Sequence, residues 1–393
     1  MVEENLAQLP IRVAVLTNMI PPYRRPVFEA LVADRSLDLR IFLSNPLAQS
    51  DQEARQSLPL RYSRGINLRH KTFHPQRGVN QEECLPVPLS LPFDLLRFRP
   101  HLIISGEFGL RSLIAWGSSK LLGVPLVLWS EEIEESAQNI SVNQRRVREF
   151  LFPRTAAFLA WGTPAVAYLL SRKVPSKKIH LCAQAVDNDA WAARAAAFDR
   201  NRCRMQLGFA GNVFLAVGRL VQRKGFDLLL NAWNGLPQSF TSENHLVLVG
   251  SGEENNSLHE QANRDRIPGV VFVAAQPAEE LAKYYAVADV FVFPSLVDVW
   301  GLVVNEAMAC GLPVLASCFT GAGQGLVAGS GCGETFNPAD VPGFTELLSR
   351  WGEGTPKMIH NDPRRVVGLH NFELTSAAIL NLVKMLATSH KKK

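Results

Sequence analysis

The chain alternates between short apolar runs and longer stretches in which apolar residues recur every three or four positions. The runs Arg12–Thr17, Leu39–Leu43, His101–Ile104, Pro125–Trp129 and Ala157–Ala160 are nearly continuous in Val, Ile, Leu and Ala. Continuous apolar character, rather than strict alternation, marks strands buried on both faces of a parallel sheet. Between them, Pro26–Ala33 and Arg111–Leu122 carry a helical period. The pattern then restarts. Strands are predicted at Val213–Val217, His245–Val249, Val270–Val273, Val290–Phe293 and Pro313–Ala316, separated by helices such as Phe226–Trp233, Glu279–Val287 and Val303–Cys310. A last helix is predicted over Leu374–Ala387, followed by the solvated tail Lys391–Lys393.

Strands alternating with helices predict doubly wound sheets. Two such series predict an α/β chain of two Rossmann-like domains facing a central cleft. Residues 1–185 form the first domain and 186–370 the second, and 371–393 pack back on the first. The polar stretch between Cys182 and Asn212 reads as an irregular linker. Ligands of open α/β sheets bind beyond the carboxyl ends of the strands. The chemistry is therefore expected in the loops that come after the strands.

A length of 393 residues agrees with two domains, and 47% hydrophobic against 20% charged residues is an ordinary globular balance. The net charge of +5 is unevenly spread. Residues 1–185 hold 23 Lys and Arg against 16 Asp and Glu, whereas 186–393 hold 18 against 20. A basic first half suits an anionic acceptor or an anionic membrane surface, and equally plain solvated charge. Nucleic acid is not among the expected partners. The six cysteines, Cys84, Cys182, Cys203, Cys310, Cys318 and Cys332, have no CxxC spacing and read as reduced thiols. The nine histidines show no metal-binding spacing. The N-terminus MVEENLAQLP is acidic and polar, unlike a signal peptide. No apolar run approaches the roughly 18 residues of a membrane span. A cytoplasmic protein is expected, with any membrane contact peripheral.

Two segments concentrate the candidate chemistry. In FLAVGRLVQRKGFDLLLNAW, residues 214–233, a strand runs into Gly218, Arg219 comes next, and Lys224 and Gly225 open a helix. Gly218 would let the chain turn sharply. Two cations at a strand end beside a helix N-terminus suit a diphosphate, because the helix end adds N–H groups and partial positive charge. In PSLVDVWGLVVNEAMACGLPVLAS, residues 294–317, Asp298 lies in the loop after a strand and Glu306 about a turn inside the next helix. Carboxylates there can accept hydrogen bonds from sugar and ribose hydroxyls. The N–H groups of Gly301, Leu302 and Val303 would face an anion. The plainer alternatives are a capping Asp298 and an exposed Glu306. An apolar helix around Glu306 argues that its charge has a partner.

GRLVQRKG, the turn VGSGE at 249–253 and FVFPSLVDVWGLVVNEAMACGLPVLAS, with their spacings, resemble the retaining family 4 glycosyltransferases of the GT-B fold, glycosyl transferases group 1. The likeness covers most of residues 210–340. The first half is similar more loosely, through PPYRRPVFEAL, ISGEFG and GVPLVLWSEE. The resemblance implies that Arg219 and Lys224 hold a nucleotide diphosphate. It implies that Asp298 touches the transferred sugar and Glu306 the ribose. Gly218, Gly250 and Gly252 would shape turns at the donor, and backbone near Ala275, in the loop Ala274–Pro277, would read the base.

Asp298 departs from the usual Glu-x7-Glu pair by one methylene. The histidine of many relatives is absent, and Glu131 or Glu132 stands at about its place. The Gly-rich first loop of many relatives is replaced by NMIPPYRRP, where Tyr23 and Arg24 would face the acceptor or the donor phosphate. No cofactor or metal is expected beyond the nucleotide-diphosphate sugar itself. The acceptor would be a glycan or a lipid-linked molecule, as in cell-surface polysaccharide or lipopolysaccharide synthesis.

The alternatives are a sugar-nucleotide epimerase on the same fold and a catalytically silent sugar-nucleotide-binding subunit. A phosphorylase lacks a candidate cofactor lysine, and a nicotinamide enzyme lacks GxGxxG after the first strand. Asp187-Asn188-Asp189 has the form of a metal motif but falls in the expected linker, and GAGQG at 321–325 has no basic partner.

Overall fold

In the computed structural model, the described residues are 9–44, 54–74, 79–138, 140–354 and 359–390. The acidic N-terminal residues 1–8 and the tail 391–393 lie outside them. The chain divides into two compact units. One comprises Met1–Glu132, Gln138–Ala183 and Phe372–Lys393, and the other Ile133–Ala137 and Gln184–Asn371.

The first unit is built on a seven-stranded sheet of β1 (Ile11–Thr17), β2 (Leu37–Leu43), β3 (Leu60–Tyr62), β6 (Leu102–Gly106), β7 (Leu126–Ser130), β8 (Ala157–Trp161) and β9 (Ile179–Cys182). Its order is β3-β2-β1-β6-β7-β8-β9, all parallel, so the strand order reverses between β1 and β6. A separate antiparallel hairpin pairs β4 (Ile66–His74) with β5 (Val79–Val87). The side chains of residues 68–85, Cys84 among them, lie outside the described ones.

The second unit holds six parallel strands: β10 (Val213–Val217), β11 (His245–Val249), β12 (Val270–Val273), β13 (Val290–Phe293), β14 (Val314–Ser317) and β15 (Gly333–Phe336). Their order, β12-β11-β10-β13-β14-β15, reverses between β10 and β13. Along β10, Val213, Leu215 and Val217 enter one apolar cluster while Phe214 and Ala216 enter another on the opposite face. Burial on both faces is why these strands are continuously apolar in sequence. Each of the larger side chains contributes about 1.5–3 kcal/mol.

Two expectations need correction. The stretch from Cys182 to Asn212 is not irregular, because Asn188–Ala196 and Arg200–Leu207 are helices. Asp187 and Asp199 cap them by accepting hydrogen bonds from the N–H groups of Ala190 and Arg202, at 2.9 and 3.0 Å. Their buried face is sparse (Trp191, Ala195 and Cys203), too sparse to show as periodicity. The capping role of Asp187 also explains Asp187-Asn188-Asp189 without a metal. Lastly, Pro363–Thr388 contains an 18-residue window of mean hydropathy 1.3, enough to pass for a membrane span. It is divided between two helices, Pro363–Val367 and Phe372–His390, and Ile379, Leu382 and Val383 lie in the apolar core of the first unit.

The helix Phe372–His390 packs on the helix Arg25–Ala33 and on β9. The Thr375 hydroxyl donates to the Ala183 carbonyl at 2.9 Å, and Lys384 Nζ lies 3.6 Å from Asp34. We expect Leu382→Ala to destabilise the first unit by about 2–4 kcal/mol, the usual cost of a buried Leu-to-Ala cavity. Calorimetry checks this: one transition should move down while a transition belonging to the second unit stays in place.

Candidate functional site

In the second unit, β10 and β13 flank the point where the strand order reverses. The segment after β10 carries Arg219 and Lys224, and the segment after β13 carries Asp298. These loops therefore leave the sheet side by side at the position where open α/β sheets bind ligands. They are joined directly. Lys224 Nζ donates to Asp298 Oδ2 at 2.5 Å, and the Leu296 N–H donates to the Arg223 carbonyl at 2.9 Å. Arg223 NH1 adds a weaker charge contact to Asp298 at 3.9 Å. Lys224 and Asp298 are both largely buried, whereas Arg219 is exposed at the strand end.

The loop after β11 is laced to the same place. The Leu220 N–H donates to the Ser251 carbonyl at 3.0 Å, and the Ser251 hydroxyl accepts from the Ala275 N–H at 3.1 Å. A Cβ on Gly250 would stand 1.9 Å from the Gly218 carbonyl oxygen, so that approach of two backbones requires glycine. Gly252 lies in the same turn. Gly218 does not carry the sharp turn expected of it. Its φ is not positive, and a Cβ there would meet only the Phe226 ring at an ordinary 3.6 Å. Nor does Lys224 open a helix directly. A 3-10 turn, Gln222–Lys224, and the left-handed Gly225 (φ 66°) precede the helix Phe226–Asn234.

The helix Leu302–Ala309 begins at Gly301, whose φ of 108° few other residues adopt. Asp298 does not cap it, and no side chain does. The N–H groups of Leu302 and Val303, in the first turn, have no acceptor among the described residues. The loop before the helix is pinned from behind. Trp300 Nε1 donates to Asn305 Oδ1 at 2.7 Å, and Asn305 Nδ2 donates to the Gln184 carbonyl at 3.0 Å. GAGQG leads into a short π-helix, Gly323–Val327, after β14.

Glu306 has the partner that its apolar helix called for. The Tyr285 hydroxyl donates to Glu306 Oε2 at 2.9 Å. Burial raises the Glu306 carboxyl to about 7, against an ordinary 4.5, and the Tyr285 hydrogen bond only partly offsets this. Sequence alone does not single out Tyr285, Asn305, Trp300 or Ser295, whose hydroxyl is buried without a partner among the described residues. No local signal marks them: Tyr285 meets a residue 21 positions away, and Asn305 one 121 positions away.

The first unit places its candidates differently. Arg24 does not face an acceptor or a phosphate as expected, for its side chain is only 3% exposed. It forms an ion pair with Glu131, which is partly exposed. The guanidinium lies 4.7 Å from the ring centroid of Trp129 and 4.2 Å from that of Trp161. Arg24 is thus a support for Glu131, held by cation–π contacts worth about 1–2 kcal/mol where water is excluded. Tyr23 beside it is exposed. Glu132 pairs with Arg148 at 2.9 Å.

A further cluster, unmarked in the sequence, sits where β1 and β6 part. Asn18 Nδ2 donates to Glu107 Oε2 at 3.1 Å, and buried Arg111 donates to the Gly106 carbonyl at 2.7 Å and reaches Glu107 at 3.3 Å. Glu107 adopts φ 66°, a strained conformation for a residue with a side chain.

Residues 200–360 match the family model described as glycosyl transferases group 1. A GDP-mannose-dependent alpha-(1-6)-phosphatidylinositol monomannoside mannosyltransferase of Mycolicibacterium smegmatis is 34% identical over 203 residues, half of each chain. A D-inositol 3-phosphate glycosyltransferase of Segniliparus rotundus is 26% identical over 342 residues, 78% of this chain and 74% of that one. Several of the curated relatives are matched over only about half their length. Among solved structures, Anabaena HepE in complex with UDP aligns with TM-score 0.75 and 19% identity over 96% of this chain and all of that one. The lipopolysaccharide outer core galactosyltransferase WaaB aligns with TM-score 0.71 and 15% identity over 95% and 99%. These likenesses give the fold, which is GT-B.

The ion pair and the buried acid each lead to a prediction. Glu131→Gln leaves the Arg24 cation buried and unpaired, at a cost of roughly 3 kcal/mol. Adding Arg24→Met should recover much of that, so a double-mutant cycle in denaturant should show coupling of about 1.5 kcal/mol or more, and simple additivity would contradict the pairing. For Glu306, the folded state holds a proton up to about pH 7 that the unfolded state releases near 4.5. The folded state binds more protons in that window, so this group's contribution to stability falls as pH rises from 4.5 through 7. Glu306→Gln should therefore gain on the wild type in melting temperature as pH rises from about 5 to about 8.

Proposed function

We propose that this chain, whose residues 200–360 form a glycosyl transferases group 1 domain, moves a sugar from a nucleotide-diphosphate donor to a glycan or lipid-linked acceptor. The observation that carries this reading is the meeting of the loops after β10 and β13. There Arg219 stands just past the end of β10, Lys224 pairs with Asp298, and the uncapped N-terminus of the helix Leu302–Ala309 follows within four residues, all beside one strand-order reversal. Anion-binding groups and a hydroxyl-accepting carboxylate at one place suit a sugar joined to a diphosphate.

In this reading, Arg219, Lys224 and the N–H groups of Leu302 and Val303 stabilise the leaving nucleotide diphosphate as the bond from the anomeric carbon to its phosphate oxygen breaks. Asp298, held in place by Lys224, accepts from a hydroxyl of the transferred sugar. Glu306 accepts from the ribose. Backbone at Ala275 reads the base. The acceptor oxygen bonds to the anomeric carbon on the face that the phosphate leaves, and the departing phosphate oxygen takes the acceptor proton, so configuration is retained. The fixed cations supply the charge that a metal would bring, and no residue is asked to form a covalent intermediate. Tyr23 and Glu131 are the acceptor-side candidates of the first unit, and a cytoplasmic site of action fits these substrates.

The likeness to relatives named for GDP-mannose and to HepE in complex with UDP supports a nucleotide-sugar donor and leaves the base open. A silent nucleotide-sugar-binding subunit is the second reading, because the shorter Asp298 is already committed to Lys224.

We expect one of UDP, GDP or ADP to bind by calorimetric titration. Lys224→Ala and Arg219→Ala should each weaken it about 10–100-fold, as charge-assisted hydrogen bonds are lost. No binding of any nucleoside diphosphate at millimolar concentration would refute the donor site. Binding without turnover across sugar donors and acceptors would favour the silent subunit.

A further inference from the structure

In the first unit, the helix Leu91–Phe98 buries Leu91, Leu95 and Phe98 and turns its other face to solvent. On that face Phe93 is 73% exposed and Leu96 39%, and Leu89, in the turn before the helix, is 56% exposed. Three large apolar side chains exposed within eight residues, two of them on the helix, are costly in water, since a monomer rarely leaves such residues grouped without use. Their surroundings are basic. Arg97 and Arg99 are exposed at the C-terminal end of the helix. Arg64 is exposed on a segment tied to the helix start, where the Ser90 N–H donates to the Arg64 carbonyl at 2.9 Å.

Among the described residues, no carboxylate lies within ion-pair distance of Arg64, Arg97 or Arg99. Asp94 is the single acidic residue between Pro86 and Pro100. Its carboxylate is occupied by the Ser63 and Ser90 hydroxyls, at 3.0 and 2.7 Å. The patch therefore keeps its positive charge.

We propose that this face docks on an anionic lipid surface, with Phe93, Leu96 and Leu89 entering the headgroup–acyl boundary and Arg64, Arg97 and Arg99 meeting lipid phosphates. An exposed apolar stripe rimmed by arginines has the form of an interfacial helix, whose binding adds buried apolar area to attraction for anionic lipid. An acidic protein would satisfy the arginines, but it would gain little from so exposed a phenylalanine without a pocket of its own. The lipid surface is the occupant that uses both features. The inference deepens the proposed use of a lipid-linked acceptor by naming where the protein meets the bilayer, yet it does not need sugar transfer to be correct.

Flotation of the full chain with vesicles tests it, using phosphatidylcholine alone and phosphatidylcholine with phosphatidylglycerol. Binding should appear with the anionic vesicles, be weak with the neutral ones, and fall as salt is raised. Each arginine at an anionic surface contributes about fivefold, so combined Arg64→Gln, Arg97→Gln and Arg99→Gln should cost on the order of 100-fold. Phe93→Asp should reduce binding at least about tenfold. All these positions are exposed, so melting temperature and nucleoside diphosphate binding should match the wild type, which separates this inference from the donor-site reading. Absence of flotation with anionic vesicles overturns the proposal and returns the patch to a protein partner. Variants that float as well as the wild type overturn it too.

Discussion

The contact between Lys224 and Asp298 fixes the second unit's site. Both residues stand on loops that have just left neighbouring strands, and without a tie such loops would diverge. The ion pair, with the Leu296–Arg223 hydrogen bond beside it, closes that gap at the level of side chain and backbone together. The chain beyond this tie inherits the constraint. Asp298 leads within three residues to Gly301, and the helix that starts there is locked from behind by Trp300, Asn305 and Gln184. A short helix with its first N–H groups uncommitted can then be held at a defined place and not merely in a defined direction.

The two units solve the same problem with different materials. In the second, glycines let backbones touch, and the loops after β10, β11 and β12 are joined chiefly through main-chain groups. In the first, the equivalent strand ends are organised by charged side chains brought out of water. Arg24 lies between two tryptophans with Glu131, Arg148 binds Glu132, and Arg111 is buried beneath Glu107. Backbone devices leave a trace in sequence as spaced glycines. Long-range ion pairs leave none.

That difference explains which features are legible in the sequence. The central strands of both sheets are, because burial on two faces demands continuous apolar runs. The short edge strands β3, β9 and β15 are not, because exposed positions break up their three or four residues, whereas the equally short edge strand β12 is an unbroken apolar run. Arg219, Lys224, Asp298 and Glu306 stand out because they fall in two compact segments. Tyr285, which donates to the Glu306 carboxyl, is 21 positions from it. Asn18 is 89 positions from Glu107, and Asn305 is 121 from Gln184. Arg24 can be noticed as a cation in an unusual loop. Its burial cannot, since nothing near it announces two tryptophans on the far side of the unit's sequence.

The helix Phe372–His390 also sets an order of events during synthesis. It supplies Ile379, Leu382 and Val383 to the core of the first unit, although almost the whole of the second unit is translated in between. On a ribosome, the first unit emerges early and yet lacks a wall. The apolar face of Arg25–Ala33 stays open until Val383 has cleared the exit, by which time Gln184–Asn371 has been available to fold. The later-made unit therefore has all of its residues before the first unit's core has all of its own. Until then the nascent first unit leaves apolar core surface open, the condition under which folding intermediates aggregate.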